Sequence, residues 1–158
     1  MTRMHSVSLV RVSRKPEHIG ILHGLLLSRT HVISHKSMPT IRQHREFVLS
    51  HPYRAWYLIK AGNEYVGTIY LLKSNNIGVS VNKGAEKYID PAIRSLLLRH
   101  EPLPAVKSVR AAEFDLNVSP SNKRLIAILK SMGAHRTQVT YSLPIRTGET
   151  KLTRRARR

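Results

Sequence analysis

Glu113 and Asp115 stand two residues apart in the run Val109–Val118. Side chains alternate across a strand, so these two acids and Asn117 share one face, and Phe114, Leu116 and Val118 share the other. Two carboxylates projecting together can take a proton from a nucleophile, directly or through water. The plainer alternative is a solvated or arginine-paired acid on a basic surface, where such pairs are common and weak. Tyr141, late in the chain, offers a phenol that could give a proton back; a core ring with a wet tip is the competing reading. His31 and His35 are four apart, but no zinc-protease signature surrounds them and their segment reads as a loop, so no metal site is expected. The chain has no cysteine, which excludes disulfides, Cys-based zinc sites and a Cys acyl-enzyme. It carries no P-loop and no G-x-S-x-G elbow.

The elements that must position these residues follow from periodicity. Val7, Leu9 and Val12 predict a first strand, and Pro16 opens a helix with Ile19, Leu22, Leu25 and Leu26 on one face. Thr40 and Gln43 form a capping box for a second helix, which ends at His51-Pro52. Ala55–Ala61 and Tyr65–Leu72 read as a hairpin about Gly62-Asn63, with Trp56 and Tyr57 half core and half wall of an acceptor site. Asn75-Asn76 reads as a turn into a third strand, Ile77–Val81. A polar loop over 82–89 precedes a helix that Asp90 should cap, with Pro91 at its first position. A strand over 109–118, a helix with Leu125, Ile128, Leu129 and Met132 on its stripe, a Gly133 cap and a last strand over 135–143 complete the pattern. The expected fold class is α/β: a mixed antiparallel and parallel central sheet flanked by helices. One domain over 1–146 is expected, with a basic, disordered tail over 147–158.

Charge bounds the partners. There are 27 Lys and Arg against 9 Asp and Glu, for a formal net charge of +18. The last eight residues hold five of those cations, so the body is basic too. Such a field attracts polyanions: nucleic acid, an anionic membrane surface or a phosphate-rich cofactor. No apolar run is long enough to span a bilayer and the first residues lack a signal-peptide core, so a cytoplasmic location is expected.

Three stretches resemble the GNAT acetyltransferase superfamily, and the element order matches its fold. HPYRAWYLIKAGNEYVGTI, from His51 to Ile69, resembles its substrate-side hairpin. NIGVSV, from Asn76 to Val81, is similar to the strand that precedes the cofactor loop. NVSPSNKRLIAILKSMGA, from Asn117 to Ala134, followed by Gln138-Val139-Thr140-Tyr141, looks like the ending of the small-molecule and sugar N-acetyltransferase branch. The resemblance covers roughly residues 7–143 by strand and helix signals.

The resemblance implies acetyl transfer from acetyl-CoA to an acceptor amine through a ternary complex, with no covalent enzyme intermediate and no metal. The acceptor would be a sugar, a small metabolite or a protein N-terminus. The pantetheine arm would pair beside Val79 and Val81. A loop with Lys83, Gly84 and Lys87 would meet the phosphates ahead of a helix N-terminus, a good anion site, and Asn122 would bond the cofactor or cap the next helix. Glu113 is the first choice for the base and Tyr141 for the acid. Two positions depart from the family pattern. The loop reads Lys83-Gly84-Ala85-Glu86-Lys87-Tyr88-Ile89-Asp90, with one glycine and two acids, and Leu129 stands where many members carry a tyrosine. The alternative functions are a catalytically degenerate scaffold and a basic RNA- or ribosome-binding module whose tail meets phosphate.

Overall fold

The computed structural model describes residues 6–29 and 37–144. His31, His35 and the tail over 147–158 lie outside the described residues. Five strands form one sheet in the order β1-β2-β3-β4-β5: β1 Ser8–Arg11, β2 Ala55–Ala61, β3 Glu64–Leu71, β4 Asn76–Val81 and β5 Asp115–Leu116. The first three pairings are antiparallel, and β4 with β5 is parallel. Among the described residues four helices flank it: α1 Pro16–Leu27, α2 Ile41–Ser50, α3 Ile89–Leu97 and α4 Lys123–Ser131. This is the mixed sheet expected from the sequence.

The sheet separates two cores. On one face Leu9, Tyr57, Ile59, Ile69, Leu71 and Ile77 pack with Ile93 and Leu96 of α3 and Leu125 of α4. On the other, Trp56 and Leu58 meet Ile19, Leu22 and Leu25 of α1 and Val48 of α2. Trp56 and Tyr57 are 6% and 5% exposed, so both are core, on opposite faces. Trp56 stays polar-satisfied because Nε1 donates to Thr68 Oγ1 at 2.7 Å.

Local signals explain most boundaries. Thr40 and Gln43 make the full reciprocal capping box at the start of α2. Gly62 takes the left-handed conformation in the β2–β3 turn. In that hairpin Ile59 pairs with Gly67 and Lys60 with Tyr65, which leaves Val66 as the extra, bulged residue of β3. The Val66 carbonyl accepts from the Asn82 N–H at 2.8 Å, so the bulge anchors the loop after β4. Helix α4 ends in a Schellman motif: Ala134 N–H donates to Leu129 O, and Gly133 N–H to Lys130 O.

Three expectations need correction. Helix α3 begins at Ile89, after a single 3₁₀ turn at Glu86–Tyr88, and its N-cap is Tyr88. Asp90 lies inside its first turn, paired with Arg94 one turn on, and Pro91 is the third helical residue. The strand over 109–118 contracts to two paired residues, although the alternation survives: Phe114, Leu116 and Val118 pack on the core while Glu113, Asp115 and Asn117 are exposed. Residues 135–143 form no strand and are exposed throughout, since among the described residues no neighbouring strand satisfies their backbone.

Asn75 is where the sequence reading was least complete. It does occupy a turn, with φ of 68°. It is also fully buried. Its Nδ2 donates to Leu103 O at 2.9 Å and Ala111 O at 2.8 Å, and its Oδ1 accepts from Leu103 N at 2.7 Å. The side chain thereby ties the β3–β4 turn to the segment that leads into β5. Asn75→Ala strands these partners and adds left-handed strain, so it should lower stability by about 2–4 kcal/mol in urea unfolding. Asn75→Gly should recover roughly 1 kcal/mol of that loss by removing the strain alone.

Between α1 and α2 lies a second buried polar group. His44 is 6% exposed, its Nε2 has no hydrogen-bond partner, and its ring sits 5.5 Å from that of His23. Burial, then the charges of His23 and Arg29, hold its pKa below the ordinary 6.5. Burial and nearby arginines do the same to His51 and His100. The unfolded chain therefore binds protons at these rings before the folded one does. Their contribution to stability is present above the unfolded pKa and is lost as pH falls through the depressed folded values. The urea midpoint should drop from about pH 8 to about pH 5, and His44→Leu should flatten that drop; a midpoint that rises on acidification contradicts this account.

Candidate functional site

β4 and β5 run parallel for only two steps, Asn76 with Asp115 and Ile77 with Leu116. Beyond them, Gly78–Val81 has β3 on one side and, among the described residues, no strand on the other. The sheet therefore opens into a crevice toward the carboxyl end of β4. A splayed parallel pair is a favoured ligand position in α/β sheets, and its free backbone can pair with an extended molecule.

The two faces of this crevice differ. Val79 and Val81 are half-buried against the α3–α4 core. Gly78 and Ser80, alternating with them, lie on the α1–α2 face. Gly78 admits the Tyr70 ring: an added Cβ would overlap it. Tyr70 stacks on Tyr53 with centroids 4.2 Å apart and planes 5° apart. Burial, then Tyr70, pushes the Tyr53 phenol up to about 12, so it keeps its proton. Phe47, His51 and Trp56 pack around Tyr53 and brace this wall.

The carboxylates fall on the same side. Leu116 turns to the α3–α4 core, so Asp115 and Glu113 turn away from it, toward the face that carries Gly78 and Tyr70. Asn76 Nδ2 donates to Asp115 Oδ1 at the first paired step, where the strands join. Glu113 is exposed one strand repeat farther out. The pairing of the two acids on one face is thus present, and Asp115 is nearer the opening.

The loop after β4 forms the mouth. Lys83 and Lys87 are exposed, and Gly84 takes φ of 85° with open space where a side chain would be. Lys87 Nζ lies 5.1 Å from the Tyr88 ring centroid. Ser28 at the end of α1 holds the loop from the other side, with Oγ 2.7 Å from Asn82 Oδ1 and 2.9 Å from Leu25 O. Asn122 is the N-cap of α4: its Oδ1 accepts from Leu125 N at 3.1 Å, which fixes the helix that flanks the crevice. Leu129 is half-buried on the core side of α4.

Tyr141 is 83% exposed, past α4 and outside any strand. The structure does not bring it to the carboxylates. Tyr53, Tyr65 and Tyr70 are phenols that the fold places on that face, and Tyr70 is the one set against Gly78. Sequence reasoning passed over Tyr70; the one available signal was its register opposite Gly78, the only residue type that leaves room for the ring. A cavity of about 360 Å³ lies elsewhere, at the other end of β1, lined by Arg14, His51, Ser13 and Ser50 among others. Among the described residues no group of three or more His, Cys, Asp or Glu could hold a metal ion, and no helix is long and apolar enough to cross a membrane.

No family model and no curated protein matches the sequence. Solved structures do match. An aminoglycoside acetyltransferase in complex with coenzyme A aligns with a TM-score of 0.60 and 17% identity, over 84% of this chain and 86% of that one. A dodecameric spermidine N-acetyltransferase from Vibrio cholerae aligns with a TM-score of 0.61 and 11% identity, over 89% and 86%. A ribosomal-protein α-N-acetyltransferase in complex with coenzyme A aligns with a TM-score of 0.56 and 15% identity, over 80% and 78%. At these identities the likeness is one of fold: a mixed sheet with flanking helices, and the chain has the GNAT acetyltransferase fold.

Proposed function

We propose that this protein is an N-acyltransferase that moves an acetyl group from acetyl-CoA directly to an acceptor amine in a ternary complex. The observation that carries this reading is the edge of Gly78–Val81, which no strand pairs among the described residues, beside a β5 that stops after two residues. A pantetheine arm, with two amides, suits that edge as a short added strand. Val79 and Val81 would line it, and Lys83, Lys87 and the open backbone at Gly84 would face the phosphates. Asn122 acts through the α4 cap rather than by reaching the cofactor.

The acceptor comes from the α1–α2 face. Its ammonium loses a proton to Glu113 or Asp115, directly or through water. The freed amine attacks the thioester carbonyl, the carbon–sulfur bond breaks, the thiolate leaves with a proton from an acid, and the nitrogen of the new amide gives up its second proton to restore that acid. Leu129 cannot supply the thiolate's proton. Tyr70, on the open face and braced by a protonated Tyr53, is better placed to do so than the exposed Tyr141. Two carboxylates on the face that also carries Tyr70 favour a cationic amine on a sugar, a small metabolite or a protein N-terminus. That the structural neighbours include acetyltransferases described with aminoglycosides, spermidine and a ribosomal protein supports amine acylation as the class. The cytoplasm is the proposed location, and nucleic acid is a proposed partner of the 147–158 tail only.

Acetyl-CoA at about 100 times its dissociation constant should stabilise the fold by about 2.7 kcal/mol, read as a rise of several degrees in melting temperature. No shift with any acyl-CoA leaves the scaffold alternative. Glu113→Gln and Asp115→Asn should separate the two carboxylates. The one that serves as base should lose on the order of 100-fold or more in kcat while acetyl-CoA binding is unchanged, and unchanged turnover removes that residue from the mechanism.

A further inference from the structure

The loop that would receive the donor's phosphates already holds an anion of its own. The Glu86 side chain is folded in, 23% exposed, and its Oε2 is buried with no hydrogen-bond partner. Arg124 Nη2, from the first turn of α4, reaches to 4.0 Å from that oxygen. The loop's own amides complete the arrangement. Those of Ala85, Tyr88 and Ile89 donate to the carbonyls of Asn82, Ala85 and Glu86 within the turn. The backbone amides of Glu86 and Gly84, with Arg124 and Lys83, outweigh the effect of burial and hold the carboxylate's pKa below the usual range. The carboxylate is therefore charged wherever the protein is folded at ordinary pH.

An inward-facing loop amide and a flanking arginine are what a phosphate oxygen would use. Here a carboxylate has both. A diphosphate brought to the same place would meet a like charge in a partly desolvated setting, where repulsion is large. It must either expel Glu86 and recover Arg124, or remain outside with Lys83 and Lys87.

We infer that Glu86 is a specificity-determining residue of the donor site: it fills the anion seat of the 82–88 loop, so the site selects its acyl thioester through the pantetheine arm and draws little from the diphosphate and nucleotide. This deepens the acyltransferase reading and rests on it. The donor class is an acyl thioester of pantetheine, of which acyl-CoA is one form.

The test uses the full chain and calorimetric titration with coenzyme A and with pantetheine, which has no phosphate. The wild type should bind the two within about tenfold of each other. Glu86→Gln, which removes the charge, and Glu86→Ala, which also empties the seat, should tighten coenzyme A by on the order of tenfold and leave pantetheine unchanged. Arg124→Ala in the Glu86→Ala background should reverse the gain. Melting curves of each variant establish that it is folded. A wild type that prefers coenzyme A by more than about 100-fold overturns the inference, as does coenzyme A affinity that is the same in all variants. Those results leave the acyltransferase reading standing. Absence of binding by either compound to the wild type and to both Glu86 variants overturns both.

Discussion

The joining of β5 to β4 depends on one buried amide. Asn75 sits in the turn ahead of β4 and closes three hydrogen bonds onto residues 103 and 111. The Asp115 N–H then reaches the Asn75 carbonyl at 3.3 Å, which starts the parallel pair. Asn75 thus sets the height at which β5 joins the sheet. A left-handed backbone and a double-ended side chain are needed at the same position, and asparagine is the residue that supplies both. Arg110 reinforces the bracket by donating to the Lys73 and Pro104 carbonyls.

Once that corner is fixed, strand alternation distributes the chemistry. Odd positions of β4 go to the α3–α4 core and even positions to the α1–α2 face. Small residues at 78 and 80 then leave space into which Tyr70 projects, and the acids of the β5 segment arrive on that same face. The bulge at Val66 permits β3 to keep Thr68 and Tyr70 on this side while Val66, Ile69 and Leu71 face the other. A slip of one residue at the bulge would send Tyr70 into the opposite core.

Much of this was legible in the residues. The capping box, the hairpin turn, the alternation of 113–118 and the glycine after α4 each have a local cause, and each is found in the fold. Strand lengths near the end of the chain were not legible, because alternation reports which face a side chain takes and says nothing of whether a partner strand exists. Phe114 and Leu116 alternate beside β4, and Val139 and Tyr141 alternate in the open. The start of α3 was misread because Asp90 and Pro91 satisfy the usual capping preferences, yet the 3₁₀ turn before them had already begun the helix. Asn75 and Tyr70 were hidden for a different reason. Their importance lies in contacts with residues 28 and 17 positions away, at Leu103 and Tyr53, which no local pattern reports.

The Ser28 hydroxyl carries a single hydrogen. Its oxygen lies within bonding distance of two acceptors, the Leu25 carbonyl that belongs to its own helix and the Asn82 amide oxygen that belongs to the loop after β4. Both cannot be served at once. When the hydroxyl turns to Leu25, the helix end is tied and the loop loses a tether; when it turns to Asn82, the reverse holds. The last turn of α1 and the loop at the mouth of the crevice therefore share one proton, and the order of one is drawn from that of the other.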